Sequence, residues 1–392
     1  MSDRGWTKTT LGNHVSLVKG VSYKSSELEE SDQSGRPLIN LKCVARGGGY
    51  RADGLKYFSG TVKTSQLVSP GDVLIANTDL TRDMSVVGSP VLVPESFGPD
   101  EACISLDLSK LGLTSSEFLS GYLFLVLQWG PSRSYMQSLS SGTTVMHLKT
   151  AAVGRMPLLL PSIDEQRRIV DLIESVDSYI DALRVQADAA RTTRTSLLHK
   201  LLNAGGEDWA HSTLGEACEM YQPKTITKKD LSDDGNFPVY GANGLIGRYD
   251  QYNHEESEIA VTCRGATCGT VNRIPERSWI TGNAMVIRPL REDLSKEYLF
   301  LALSGATNLK ATISGSAQPQ ITRASLKPVA LPIPPPHEQN RIVDLVASIE
   351  ELTATSETTL VSAIQLRAAL LEELLSGNHE IPESYDALLE AS

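Results

Sequence analysis

The sequence predicts an α+β protein made of two copies of one unit: two globular regions of mixed β-sheet with short helices, separated by two long helices that pair antiparallel as a coiled coil about a pseudo-two-fold axis. Three observations predict it. The stretch PSIDEQRRIVDL at 161–172 returns as PPPHEQNRIVDL at 334–345. Behind each copy runs a helical pattern about 40 residues long. Ahead of each lies a glycine-rich region of short apolar runs, the pattern of strands joined by tight turns.

In chain order the divisions are 1–155 (first globular region), 156–205 (central helical spacer), 206–330 (second globular region), 331–378 (C-terminal helical spacer) and 379–392 (acidic tail). Near the start, Trp6 and Thr10-Leu11-Gly12 match Trp209 and Thr213-Leu214-Gly215 at a shift of 203. From Ser141-Gly142, which falls on Ser314-Gly315, to Leu202, which falls on Leu375, the shift is 173. About 30 residues are therefore gained or lost inside the globular regions, so the two copies differ there. In the first region, GRPLINLKCVARGG (35–48) and PGDVLIANTDLTRDMSVVG (70–88) read as strand, turn, strand and polar loop. FPVYGANGLIGRYD (237–250), EIAVTCRGATCGTV (258–271) and SWITGNAMVIRP (278–289) repeat the pattern in the second. A short apolar helix follows in each, EFLSGYLFLVLQ (117–128) and KEYLFLAL (296–303).

The long helices have start and stop signals. Ser162-Ile163-Asp164-Glu165 fits a capping box, the serine hydroxyl accepting from a first-turn amide and the glutamate reaching back. Pro335-Pro336 takes that place in the second copy, where a fixed φ and a missing N–H cost little. Gly205-Gly206 and Gly377-Asn378 are the stops. Between them Ile169, Ile173, Val176, Ile180, Leu183, Ala187, Ala190, Arg194, Leu197 and Leu201 alternate steps of four and three, a seam of period 3.5. The second seam runs from Ile342 to Leu374 with Thr353, Ser356 and Arg367 within it; these polar positions set register or face another protein. Glu372 and Glu373 sit in a last turn, where the helix dipole disfavours anions. Antiparallel pairing answers this by bringing Arg167 and Arg168 beside them, and His199 and Lys200 beside Glu338.

The net charge is −11, yet its distribution matters more than its sum. Lys+Arg and Asp+Glu balance in 1–150 (14 each) and 151–205 (7 each) and nearly so in 206–330 (13 against 15), whereas 331–392 holds 2 against 11. The globular regions are thus free to carry a local basic face. Five cysteines in a chain whose start, MSDRGWTKTT, lacks a signal-peptide core argue for reduced thiols and a cytoplasmic protein. Cys263 and Cys268 have no second Cys or His pair beside them and read as buried small hydrophobes, not zinc ligands. No apolar run is long enough to cross a bilayer.

The TxLG opening, the runs LPIPPPHEQNRIVDL and LLLPSIDEQRRIVDL and the half-chain repeat together resemble the specificity (S) subunit of type I restriction-modification enzymes, over nearly the whole chain. The resemblance implies two target recognition domains, each reading one half of a bipartite, asymmetric site in double-stranded DNA. It implies spacers that fix the gap and dock two modification (M) subunits, which bind S-adenosylmethionine and methylate adenine, with restriction (R) subunits completing the nuclease. The chain itself is then non-catalytic and holds neither cofactor nor metal. Pro161-Ser162-Ile163 departs from the family's proline-rich run. The acidic segment 331–392 would repel DNA and is expected to face the M subunits or solvent.

Two other classes fit the sequence less well. A methyltransferase or nuclease would need a phosphate loop, an Asn-Pro-Pro-Tyr-like motif or an acidic metal cluster with a trailing lysine, and none stands in the sequence. A coiled-coil adaptor fits the repeat and the acidic end, but leaves two glycine-looped, Arg- and Asn-bearing regions without a task.

Reading DNA requires Arg, Lys, Asn or Gln on backbone that comes close to a groove, with Ser, Thr and amides for phosphates. On that chemistry the candidates in the first region are Lys42, Arg46, Asn77, Thr78 and Arg82. Those in the second are Tyr240, Asn243, Arg248, Tyr249, Arg264, Thr267 and Asn283. The loops before the spacers add Thr143, Thr144, His147 and Lys149, and Ser316, Gln318 and Gln320.

Overall fold

A computed structural model describes residues 5–29, 35–81, 83–205, 208–241, 244–305, 307–315 and 318–389. It divides into two units, 1–182 with 361–392, and 183–360. The boundaries fall inside the two long helices, Ile163–Leu202 and Pro336–Leu375, each 40 residues and hence about 60 Å long.

In the first unit Thr7–Thr10 runs antiparallel to Pro157–Leu160, from Thr7 opposite Leu160 to Thr10 opposite Pro157. Beyond it the chain presses onto Gly154: a Cβ added to Gly12 would stand 3.0 Å from the Gly154 carbonyl oxygen, which explains the glycine of TLG. The main sheet is antiparallel, in the order Val15–Lys19, Leu108–Leu113, Val73–Ala76, Pro90–Leu92. Val73–Ala76 is buried at every position. Its alternate side chains enter two cores, Val73 and Ile75 packing with the helix Ser120–Gln128, Leu74 and Ala76 with a second sheet. That second sheet has five strands and is mixed, Arg36–Ile39 running parallel to Ala102–Ile104.

The second unit repeats the plan. Ala210–Thr213 lies against Ala330–Ile333, and Gly215 meets the Lys327 backbone as Gly12 meets Gly154. The main sheet has the matching order Cys218–Tyr221, Ala284–Pro289, Glu258–Thr262, Val271–Ile274. Among the described residues the second layer is smaller, three strands instead of five, again mixed, with Phe237–Gly241 parallel to Trp279–Ile280. Here the shorter copy loses its length.

The duplicated helix opening is a joint. In the first unit the Trp6 indole donates to Glu165 at 2.9 Å; in the second Trp209 donates to Glu338 at 2.9 Å. The next residue, Gln166 or Gln339, is fully buried. Gln166 Oε1 accepts the Leu119 amide at 3.0 Å and its Nε2 donates to the Glu117 and Pro161 carbonyls at 2.8 and 3.1 Å. Gln339 does the same with the Ser295 amide and the Asp293 and Pro334 carbonyls, at 2.9, 2.7 and 2.8 Å. Glu-Gln therefore locks each helix start to its own sheet-and-helix layer. Ser162 accepts the Glu165 amide at 3.3 Å as expected, while the Glu165 carboxylate has the additional task of holding Trp6.

Within each unit the helix halves pair antiparallel. Ile169 and Ile173 share a core with Leu371, Leu374 and Leu375 in the first. Leu198 and Leu202 share one with Ile342 and Val346 in the second. The charge pairs that fix this direction differ from those expected. Glu372 accepts from the Trp129 indole, Glu338 from Trp209, and Arg167 and Arg168 pair with Asp164 and Asp386. The seam arginines close the helices instead: Arg194 binds Glu350 and Arg367 binds Asp177, two contacts related by the shift of 173. Thr353 and Ser356 are buried, their hydroxyls donating to the Ile349 and Leu352 carbonyls at 2.7 and 3.0 Å. Polar seam positions are thus satisfied within the helix pair, which corrects the reading of them as a surface for another protein.

The acidic tail packs in part on the first unit, while Glu380 and Glu383 stay exposed. Ile381 is buried in the first unit's core, Arg168 grips Asp386 through Nε and Nη2 at 2.7 and 2.8 Å, and Tyr385 donates to Asp171 at 2.6 Å. These contacts fold the tail back over the start of the central helix and hold the Asp386 carboxyl below its ordinary value, through the Arg168 hydrogen bonds. Among the described residues no helix is long and apolar enough to cross a membrane.

Candidate nucleic-acid interface

Each unit carries a hairpin before the spacer helix, paired with the chain just past a main-sheet strand. In the first, Ser140–Ser141 pairs with Met146–Leu148, which pairs with Thr78–Asp79, so that His147 stands opposite both Ser141 and Thr78. In the second, Gln320 stands opposite both Ser314 and Arg264. The backbone bond that follows is also shared: the Leu148 amide donates to Asn77 at 2.8 Å, the Ile321 amide to Cys263 at 2.9 Å. Thr78 and His147 therefore correspond to Arg264 and Gln320. The turn demands glycine in both copies. Gly142 has φ +147° and Gly315 φ +85°, and an added Cβ would lie 2.0 Å from Val145 O and 2.7 Å from Gln318 O.

In the first unit Lys42, Arg46, Thr143, Thr144, His147 and Lys149 are exposed. Arg46 lies 3.5 Å from Asp83, tying the 45–49 turn to the 80–88 loop. Asn77 and Thr78 are otherwise occupied. Asn77 is buried, donating to the Leu106 carbonyl at 3.0 Å and accepting from Ser109 at 2.9 Å, and Thr78 donates to Asp107 at 3.0 Å. Their side chains build the scaffold, because the segment 77–79 is buried. Arg82 lies outside the described residues.

Asp79 and Arg133, which the sequence did not single out, hold the loop at 80–88. Fully buried Asp79 accepts from the Thr81 amide and hydroxyl at 2.6 Å each and from the Val86 and Val87 amides at 2.6 and 2.7 Å. Burial pushes its carboxyl up, but these four bonds outweigh it and leave the group below its ordinary value. Beneath the loop, Arg133 donates to the Ser85 carbonyl at 3.3 Å, and burial lowers its guanidinium to about 10 against the pull of Asp79. An Asp two residues before Thr is an Asx-turn signal; nothing local marks Arg133.

In the second unit the candidates form two groups. Arg264, Thr267, Gln318 and Gln320 are exposed on the hairpin and the loop beside it, and Asn283 adjoins them through its carbonyl, which accepts the Cys263 amide at 2.8 Å. Tyr240, Arg248 and Tyr249 belong to the smaller sheet. Arg248 donates from Nε and Nη2 to the Gly235 and Asn236 carbonyls at 2.6 and 2.9 Å, so its guanidinium braces a loop. Tyr249 lies edge-on to Trp279 at 5.2 Å, and Tyr240 packs on the core behind that sheet. Asn243 and Ser316 lie outside the described residues. Cys263 is buried, which pushes its thiol up to about 11 and leaves it a small hydrophobe.

Comparison with known proteins identifies relatives over most of the chain. The model of the family described as type I restriction modification DNA specificity domain matches residues 4–188 and 206–366. The type I restriction enzyme EcoprrI specificity subunit of Escherichia coli is 22% identical over 371 residues, covering 92% of this chain and 90% of that one. The MjaVIII specificity subunit of Methanocaldococcus jannaschii is 19% identical, covering 95% and 92%. Among solved structures, the type I restriction-modification S subunit of M. genitalium superposes with TM-score 0.57 at 17% identity over 96% of this chain and 97% of that one. A structure concerned with complex assembly and conformational transition of the type I R-M system gives 0.64 at 18% identity, covering 95% and 97%.

Proposed function

Because the chain belongs to the type I restriction modification DNA specificity family, we propose that each of its two units reads one half of a bipartite, asymmetric site in double-stranded DNA. The observation that carries this reading is the hairpin repeated at one place in both units with different exposed side chains, His147 in one and Gln320 beside Arg264 in the other. One scaffold carrying two sets of readers suits two different half-sites.

The helical spacers fix the gap between the half-sites and dock two M subunits. Support comes from apolar side chains off the seam of the C-terminal helix. Leu345 and Leu352 in the second unit, and Val361, Ile364 and Leu366 in the first, are between 39% and 66% exposed. Leu345, Leu352 and Leu366 keep heptad spacing, the pattern of a helix awaiting helical partners. S-adenosylmethionine binds to the M subunits, which methylate adenine in the cytoplasm, and R subunits add restriction. This chain contributes recognition and no chemistry.

A base-resolution map of adenine methylation, with the gene intact and deleted, tests the proposal. Loss on deletion of a split motif with a fixed gap is expected. Persistence of every motif in a strain shown to express the chain with a methyltransferase would overturn it.

A further inference from the structure

Arg264 and Gln320 form a directly opposed pair in an antiparallel bridge. Opposed residues in such a bridge place their side chains on one face, with Cβ atoms about 5 Å apart. The flanking residues decide which face. Cys263 and Ile321, one step along each strand, are buried in the unit's core, and alternation turns Arg264 and Gln320 the opposite way. Both are exposed. Among the described residues, no hydrogen bond or ion pair holds the Arg264 guanidinium, in contrast to Arg248, Arg288 and Arg291, which are bound within the unit. Glycine at 265 (φ +86°) and at 315 (φ +85°) removes side-chain bulk on both sides of the bridge, which leaves the pair prominent.

Arginine and glutamine have different donor and acceptor patterns. A guanidinium fork matches O6 and N7 of guanine, while a carboxamide matches N6 and N7 of adenine. Two such groups about 5 Å apart on one bridge are spaced to reach neighbouring base pairs. We propose that this pair reads two adjacent bases of the second unit's half-site in the major groove, Arg264 taking a guanine and Gln320 an adenine. At the corresponding place in the first unit, the Thr78 hydroxyl is spent on Asp107 and only His147 is presented. The bridge there offers one reader instead of two.

The inference rests on the half-site reading above, and its test separates the two. The full chain is expressed with its M subunits in a host lacking the system, and adenine methylation is mapped for the wild type, Arg264→Gln, Gln320→Ala and His147→Ala. Arg264→Gln should relax one guanine of one half-site by roughly 10- to 100-fold, the scale of one bidentate contact. Gln320→Ala should relax the adjacent adenine, and His147→Ala should alter only the other half. An unchanged motif with methylation lowered uniformly in Arg264→Gln would make the residue a phosphate contact and overturn the inference alone. A wild-type half-site lacking a specified guanine would do the same. Absence of any chain-dependent bipartite motif would overturn the inference and the half-site reading together.

Discussion

Replacing Gln339 by leucine removes the amide that joins the C-terminal helix to the second unit while nearly conserving volume. Three backbone groups, the Ser295 N–H and the Asp293 and Pro334 carbonyls, lose partners now at 2.9, 2.7 and 2.8 Å. Each buried group left unsatisfied costs about 1–3 kcal/mol. The three together cost about 3–9 kcal/mol and apolar burial of the leucine returns about 1–2 kcal/mol, so the net loss is about 1–8 kcal/mol. That is a large share of the roughly 5–15 kcal/mol that holds an ordinary domain. A two-unit protein does not unfold in one step, so the assay must be local. Hydrogen exchange across a urea series, read on the Ser295 amide and on 336–346, reports the second unit alone. Leucine at Gln339 should lower protection there by the stated amount, and Gln166→Leu should produce the same loss around the Leu119 amide. A loss below 1 kcal/mol with the Ser295 amide still protected would refute the reasoning, since the joint would then depend on packing and not on the amide.

Two further outcomes follow from charge. A double-mutant cycle on Arg367→Met and Asp177→Asn should give a coupling of about 1 kcal/mol at low salt that shrinks as salt rises, because Asp177 is 41% exposed; a coupling unaffected by salt would contradict the assignment. The other concerns His254, buried between Tyr221 and Asn253 and near Glu258, Arg288 and Lys296. Burial lowers its pKa, Glu258 acting against and the two cations with that shift. The unfolded chain therefore takes up the proton first as pH falls below about 6.5, and the second unit loses stability from there down to the folded value. Urea midpoints of that unit measured from pH 7.5 to 5.5 should decline, and His254→Gln should flatten the slope.

Much of this architecture was legible in the residues. Helix limits, seam and repeat are periodic or local signals, so Ile169, Ile173, Ile342 and Val346 are buried where a period of 3.5 puts them. Antiparallel pairing was also legible, though through the wrong contacts: Glu372 and Glu338 turned to indoles contributed by other elements. The tail illustrates why. Arg168 and Asp386 stand 218 residues apart, and composition reads eleven acids against two bases in that last segment as repulsion without revealing a local partner. Among the candidate readers, Asn77 and Thr78 have the right chemistry in a segment that is buried. A polar side chain in a loop-like sequence does not disclose whether its partner is a base or a neighbouring carbonyl. Arg264 and Gln320 were each legible, but their opposition across a bridge exists only in the folded register.

The division into units has a consequence for synthesis. Residues 183–360 form an uninterrupted stretch, whereas the unit begun by residue 5 needs 361–389 to finish its core, through Leu371, Leu374, Leu375 and Ile381. A ribosome thus makes most of the first unit before residues 183–360, and its closing helix only after them. The amino-terminal half therefore lacks the partners of Ile169 and Ile173 until residues 371–375 have been made.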